Sequence, residues 1–267
     1  MSLRSWVAAH RSGVATATSG TVVAAIVAGV ALTSTGYTAQ KLDLGDGSVW
    51  VANGALQAVG RANPEVLELN SVLRTSGTDL EVVQQGTTVL VVDHADATVR
   101  IVDPAESTLG ESTALPPEDA QVFLAGDRVV IHAAGTGELW IVPVTELEDF
   151  DTSQPTSLSL GLDSVVNVAP DGTLFAYSAE LDQVYRVDAA RVDVVGSTWT
   201  AGLDGADDVR ITSVGGAWAV LDVVGRRVAL ERGIVDLAAL AGPDGDLVPQ
   251  EPSDAGSRIL VGTDGGL

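Results

Sequence analysis

The sequence contains no cysteine, which excludes a disulfide framework and any metal site built on thiolates. The missing cysteines do not place the protein in the cytosol, because many exported bacterial proteins also lack them. The chain has 267 residues, which is enough for one large all-β domain.

Basic residues are scarce. Lys41 is the only lysine, and lysine plus arginine total 14 against 36 acidic residues, which gives a net charge of −22. A surface this acidic repels the phosphates of nucleic acids and the headgroups of anionic lipids. We therefore expect no nucleic-acid partner, and we interpret the acidity as a source of solubility rather than of cation binding.

The signatures of common catalytic sites are also missing: HExxH, GxSxG, the P-loop and the dinucleotide-binding fingerprint. Beyond the N-terminal segment the chain has two histidines, His94 in a polar turn and His132 at the end of an apolar strand. Because they occupy different positions in their repeats, their rings are not expected to meet on a shared metal ion. We predict no catalytic, cofactor-binding or metal-binding residue and therefore no enzyme.

One structural unit stands out at residues 171–188, DGTLFAYSAELDQVYRVD. The pair Asp171-Gly172 suits a tight hairpin, since glycine tolerates positive φ. The apolar run from 174 to 177 predicts a strand buried on both faces, and the alternating run from 184 to 187 predicts a strand buried on one face. Two such strands joined by a turn are typical of a propeller blade.

The unit recurs along the chain. With the apolar strand taken as the inner strand of each blade, the markers are VWVA at 49, VLVV at 89, VVIH at 129, LFAY at 174, WAVL at 218 and ILVG at 259. The intervals are 40, 40, 45, 44 and 41 residues, and periods of about 40–50 residues with several strands each indicate a propeller. A β-sandwich or an irregular β-solenoid is the alternative. Residues 104–117, 146–155, 202–208 and 242–256 are predicted to be solvated loops between blades.

The N-terminal region differs from the repeats. Residues 1–13 carry Arg4 and Arg11 without an acidic residue, and residues 14–32, from Val14 to Leu32, contain no charge. This length nearly suffices for a helix that crosses a bilayer, and positive charge in front of it predicts a cytoplasmic N-terminus. A signal anchor is favoured over a cleaved signal peptide, for which Gly29 and Ala31 would supply the small residues. Residues 33–48 are predicted to form a linker and a first strand.

Two groups of proteins resemble this chain. The segments GDGSVWVAN (45–53) and APDGTLFAY (169–177) resemble the hairpins of bacterial propellers of the streptogramin-lyase and NHL type. The resemblance implies the fold. The lyase activity of that group uses a channel histidine and a metal ion, and here no histidine follows the blade motifs in a repeated position.

A second resemblance covers most of the chain and is to actinobacterial surface proteins that have an N-terminal membrane segment and a propeller region. It is carried by residues 36–70, 124–140 and 175–191. In those proteins, fibronectin type III or immunoglobulin-like repeats follow towards the C-terminus. The resemblance implies that this chain corresponds to the N-terminal part of such a protein.

We therefore predict an all-β protein, a β-propeller of about six blades with the last one incomplete, preceded by one N-terminal hydrophobic helix. Residues 49–267 form the propeller repeats. The expected function is a non-enzymatic, extracytoplasmic scaffold or recognition domain at the cell membrane, with an unknown protein or a cell-wall glycan as its ligand. The alternative is an exported propeller enzyme, a lyase or a glycan-active enzyme, with its site in the central channel.

Overall fold

The computed structural model describes residues 48–63, 68–117, 119–241 and 246–263. These residues form six sheets that follow one another along the chain, numbered here as blades 1 to 6, and strands adjacent within a sheet are antiparallel. Blade 1 contains β1 (Val49–Asn53), β2 (Ala58–Asn63) and β3 (Glu68–Arg74). Blade 2 contains β4 (Leu80–Gln85), β5 (Thr88–Asp93), β6 (Thr98–Asp103), β7 (Thr108–Leu109) and β8 (Thr113–Ala114).

The next blades repeat this order. Blade 3 contains β9 (Ala120–Ala125), β10 (Arg128–Ala133), β11 (Glu138–Pro143) and β12 (Leu158–Ser159). Blade 4 contains β13 (Val165–Val168), β14 (Thr173–Ser178), β15 (Gln183–Asp188), β16 (Asp193–Val194) and β17 (Trp199–Thr200). Blade 5 contains β18 (Val209–Val214), β19 (Ala217–Asp222), β20 (Arg227–Leu230) and β21 (Gly233–Asp236). Blade 6 contains β22 (Leu247–Pro249) and β23 (Val261–Thr263).

Helical structure in the described residues is short. Two 3-10 helices span Gly54–Leu56 and Val144–Asp149, and one α-helix, α1, spans Ala238–Ala241. No helix within the described ranges is both long and apolar enough to cross a membrane. The predicted anchor at residues 14–32 and the predicted strand near residues 37–42 lie outside the described residues.

The arrangement of the sheets is that of a β-propeller. The first strands of blades 2 to 5, namely β4, β9, β13 and β18, contact one another in succession. Buried apolar side chains fill the space between each pair of neighbouring blades from blade 1 to blade 6. Sheets that pack face to face around an axis, with their first strands innermost, define this fold, so the predicted fold class is confirmed.

One detail of the prediction is wrong. The apolar marker strands, taken as the inner strands, are the second strands of blades 2 to 5, and a further strand lies between each of them and the axis. They are apolar because neighbouring strands bond both of their edges and neighbouring blades cover both of their faces. In β14, Leu174 to Tyr177 are all fully buried. The first strands carry polar residues such as Gln84 and Gln121. These strands are bonded to a neighbour on one edge only, and their other edge faces the axis, so polar side chains are tolerated there.

The predicted core residues are otherwise confirmed. Phe175, Tyr177, Trp218 and Val220 all lie in the cluster between blades 4 and 5 with at most 1% of their surface exposed. Trp50, Trp140 and Trp218 are core residues on strands, as expected. Burying a large apolar side chain stabilises a fold by about 1.5–3 kcal/mol, so these interfaces between blades hold the ring together.

Three of the predicted loops are partly structured. Residues 146–155 overlap the 3-10 helix Val144–Asp149, whose Leu147 is buried. Residues 104–117 contain the outer strands β7 and β8, and residues 242–256 contain β22, whose Leu247 is fully buried. Strands of two or three residues are too short to show an apolar period in the sequence. The proline, glycine and aspartate residues beside them are typical of loops and favour that prediction. The last marker strand also begins later than predicted, because β23 starts at Val261 and the run ILVG starts at residue 259.

Candidate functional site

The ring of blades has two unlike ends. At one end, the hairpin end, tight turns connect the first and second strands of blades 2 to 5. At the other, the turn end, longer turns connect the second and third strands. In blade 1 the corresponding turn connects β1 and β2. In all five turns the residue before the next strand has positive φ: Gln57, Ala97, Gly137, Asp182 and Arg226.

A side-chain oxygen at the start of most of these turns accepts backbone N–H groups inside the turn. Asn53 accepts from Leu56, and Ser178 accepts from Leu181. Asp222 accepts from the N–H of Gly225 at 2.6 Å. Residues with short polar side chains are favoured in this role because they can bond their own backbone a few residues on. This repeated signal at 53, 93, 178 and 222 was present in the sequence and was not used in the prediction.

The hairpin end is tied together by side chains that cross between blades. Gln85 accepts a bond from the N–H of Gly126 at 2.7 Å and donates to the carbonyl of Pro170 at 3.3 Å. The carboxylate of Asp254 accepts a bond from the N–H of Asp171 at 3.1 Å. These bonds connect blade 2 to blades 3 and 4, and blade 4 to the segment that follows β22. A ligand can therefore approach the turn end without breaking these contacts.

His132 lies on β10, is fully buried, and faces blade 4. Its Nε2 is 3.0 Å from the hydroxyl of Ser164, and its Nδ1 is 3.3 Å from Oε1 of Gln121. Because Oε1 of Gln121 only accepts, Nδ1 carries the proton and Nε2 accepts the Ser164 hydroxyl. Burial lowers the pKa of His132 to about 4, which keeps the ring neutral near pH 7.

A neutral histidine that accepts a serine proton is the contact found between a base and a nucleophile. A nucleophile must also reach its substrate, and here Ser164 exposes 3% of its surface and His132 exposes none. In this structure the contact joins blades 3 and 4 and satisfies buried polar groups.

His94 occupies the turn after β5, as predicted, and its side chain is 35% exposed. Its Nε2 lies 2.8 Å from the carboxylate of Glu81, and this hydrogen bond raises the pKa of His94. The two histidines thus have different partners. Among the described residues, no three His, Cys, Asp or Glu side chains are grouped closely enough to hold a metal ion.

The turn end is acidic and partly apolar. An aspartate stands just before the first strand or its lead-in residue in four successive blades: Asp79, Asp119, Asp163 and Asp208. Four large apolar side chains of the same end are more than half exposed: Leu56 at 56%, Leu162 at 60%, Leu181 at 55% and Val224 at 66%. The last three come from the turns of blades 4 and 5 and the segment that leads into blade 4. We call Leu162, Leu181 and Val224 the turn-end patch.

A small polar cleft of about 60 Å³ opens at the turn end between blades 1 and 2. Its charged walls are Asp93, Asp96 and Arg100, and its hydroxyl groups come from Thr75, Ser76, Thr98 and Ser112. The sequence prediction named none of these residues as a site, since they come from separate segments of the chain.

No model of a known protein family and no curated protein sequence matches the chain. Solved structures share its fold. Hydrazine synthase from Kuenenia stuttgartiensis is 14% identical, with a TM-score of 0.59, over 87% of this chain and 77% of that one. Catalytically inactive virginiamycin B lyase from Staphylococcus aureus with quinupristin is 12% identical, with a TM-score of 0.54, over 82% and 74%. Hsv2 from Kluyveromyces marxianus is 15% identical, with a TM-score of 0.56, over 85% and 69%. At these identities the likeness concerns the β-propeller fold alone.

Proposed function

We propose that this protein is a non-enzymatic, extracytoplasmic recognition domain of a cell-surface protein, held at the membrane by residues 14–32. It recognises a protein or a cell-wall glycan through the turn end of the propeller. The observation that carries this proposal is the turn-end patch, where three large apolar side chains are more than half exposed beside a series of aspartates. Exposed apolar groups rimmed by polar residues are typical of interaction sites.

The charge of the molecule supports the same conclusion. With a net charge of −22, the surface attracts partners that carry basic groups and repels acidic polymers such as nucleic acids. The hairpin end is occupied by bonds between blades, so the turn end is the face that remains for a partner. The resemblance to membrane-anchored surface propellers supports the extracytoplasmic location.

The location can be tested on intact cells. We expect protease added outside to digest the portion from residue 33 to 267, because an apolar segment with positive charges before it directs the following chain outward. A cytoplasmic protein probed in the same sample must stay intact. Protection of residues 33–267 until the cells are lysed would contradict the proposed topology.

The recognition surface can be tested with a matched pair of double variants. Leu181→Ser with Val224→Ser removes apolar groups from the turn-end patch, whereas Val192→Ser with Val195→Ser changes side chains that are 40% and 41% exposed in an outer turn of blade 4. Exposed substitutions of this kind change stability by about 0.5 kcal/mol or less. Binding to isolated actinobacterial envelope fragments is measured by sedimentation.

We expect the turn-end variant to bind envelope fragments about tenfold more weakly, as loss of buried apolar contacts at an interface predicts. The control variant should bind as the wild type does. Added salt should weaken binding, because screening reduces the attraction of an acidic surface for basic groups. Equal binding by the two variants would exclude the turn-end patch as the recognition surface.

A further inference from the structure

The carboxylate of Asp93 is buried but only partly bonded. The side chain is 6% exposed, and its Oδ1 accepts long bonds from the N–H groups of Ala95 at 3.2 Å and Asp96 at 3.4 Å. Within the described part of the chain, Oδ2 has no hydrogen-bond partner. Oδ2 is not enclosed, because Asp93 lines the cleft and this oxygen is within reach of solvent. Oδ2 is therefore free to accept a donor that enters the cleft.

The backbone at Gly77 holds this carboxylate in place. A Cβ atom at Gly77 would overlap Oδ2 of Asp93 and the side chain of Leu80. The carboxylate thus packs directly against the backbone of the segment that links blades 1 and 2. Its position in the cleft wall is set by the contact between the two blades.

Arg100 supplies the opposite charge. It lies on β6, opposite Val91 of β5, and lines the same cleft. Among the residues that the structure describes, its guanidinium has no hydrogen bond and no carboxylate within the 4.0 Å of an ion pair. Arg100 and the two aspartates therefore face the cleft without neutralising one another. A guanidinium in this position can bind a carboxylate through two parallel hydrogen bonds.

The size of the cleft limits the ligand. Its volume of about 60 Å³ exceeds the roughly 10–15 Å³ that a single water molecule needs, so several small polar groups fit inside it. A small unit that carries a positive and a negative group a few ångströms apart fits both the volume and the separated charges.

We propose that the cleft binds the zwitterionic unit of an α-amino acid, with its carboxylate on Arg100 and its ammonium group on Asp93 and Asp96. The hydroxyl groups of the cleft complete the hydrogen bonds, and the amino acid's side chain points out to solvent. The site rests on the proposed recognition function of the turn end and assigns a ligand chemistry to one part of it.

Calorimetric titration of the purified 267-residue chain, kept in a non-ionic detergent, tests this assignment. The probes are glycine, glycinamide, which lacks the carboxylate, and acetate, which lacks the ammonium group. We expect glycine to bind at least tenfold more tightly than either of the other probes. No heat with glycine, or equal affinity for glycine and glycinamide, would overturn the proposal.

Two variants and their controls locate the site. Arg100→Gln should reduce glycine affinity at least tenfold and abolish the preference for glycine over glycinamide, and Asp96→Asn should reduce affinity for glycine and glycinamide alike. The controls are Arg191→Gln and Asp127→Asn, which change side chains at the hairpin end that are 79% and 83% exposed. Both control variants should bind glycine as the wild type does. Unchanged glycine binding by Arg100→Gln would exclude the cleft.

The outcome separates the two proposals. Glycine titration reports on the cleft, whereas sedimentation with envelope fragments reports on the turn-end patch. Envelope binding without glycine binding would refute the zwitterion site and leave the recognition function in place. Loss of envelope binding in the turn-end variant with intact glycine affinity would show that the two sites act separately.

Discussion

Replacing Phe175 by alanine is expected to lower the free energy of unfolding by about 3–5 kcal/mol, the usual cost of truncating a large buried aromatic side chain. Phe175 is fully buried in the cluster between blades 4 and 5, and its ring lies 5.9 Å from the guanidinium carbon of Arg186. The substitution removes packing from the contact of two blades and leaves a cavity that the paired strands of blade 4 cannot close. The melting temperature should fall by about 10 °C.

The matched control is Leu162→Ala, which shortens a large apolar side chain that is 60% exposed. Its melting temperature should stay within about 2 °C of the wild type, because an exposed side chain loses little on truncation. Thermal unfolding followed by circular dichroism measures both variants. An unchanged melt for Phe175→Ala would show that β14 does not pack between blades.

The repeat was predictable because the second strand of each blade is the most regular part of the pattern. A strand bonded on both edges and covered on both faces must be apolar, and such runs stand out at 89, 129, 174 and 218. The position of this strand in the sheet was not predictable from its composition alone. The first strands mix buried residues such as Leu80 with polar ones such as Gln84, so they resemble half-exposed strands on the outside.

The turns between second and third strands carry a sequence pattern that has a physical explanation. A short polar residue at 53, 93, 178 or 222 begins four of the five turns, and its side chain accepts bonds from N–H groups of the turn. Four positions after it a residue adopts positive φ. Asp182, at such a position, also accepts bonds from the hydroxyl of Tyr177 and from the N–H of Leu203. Its buried carboxylate therefore has a structural role within blade 4.

The cleft was not predictable, since its charged residues have no shared motif. Asp93 and Asp96 come from a turn and Arg100 from the following strand, while Gly77 belongs to the link from blade 1. Which face of β6 meets blade 1 depends on the sheet register, and that register pairs Arg100 with Val91. The contact between His132 and Ser164 likewise joins residues 32 apart in neighbouring blades.

The second large effect expected is a loss of stability in acid that depends on His132. Burial lowers the pKa of His132 to about 4, whereas the same ring in the unfolded chain has its ordinary value near 6.5. Between these values the unfolded state binds more protons than the folded state, so stability rises with pH. The contribution of His132 to the free energy of unfolding is complete above about pH 6.5. As the pH falls towards 4, about 3 kcal/mol of it is lost.

The His132→Gln variant has no ring to protonate, and its amide can still bond to Ser164 and Gln121. Its stability at pH 7 will differ from that of the wild type through packing, so the informative quantity is how the difference between the two proteins changes with pH. From pH 7 to pH 4 the wild type should lose about 3 kcal/mol more than the variant, as measured by denaturant unfolding at each pH.

His94→Gln serves as the control of opposite sign. The hydrogen bond to Glu81 raises the pKa of His94, so its contribution is present in acid and fades as the pH rises past the folded value. This variant lacks that contribution in acid, so it should lose at least as much stability as the wild type between pH 7 and pH 4. Should His132→Gln fail to fold, an NMR titration of the wild-type ring gives the same answer directly. A ring that protonates near pH 6.5 would contradict the burial of His132, because a histidine closed between two blades must give up its partners before it can accept a second proton.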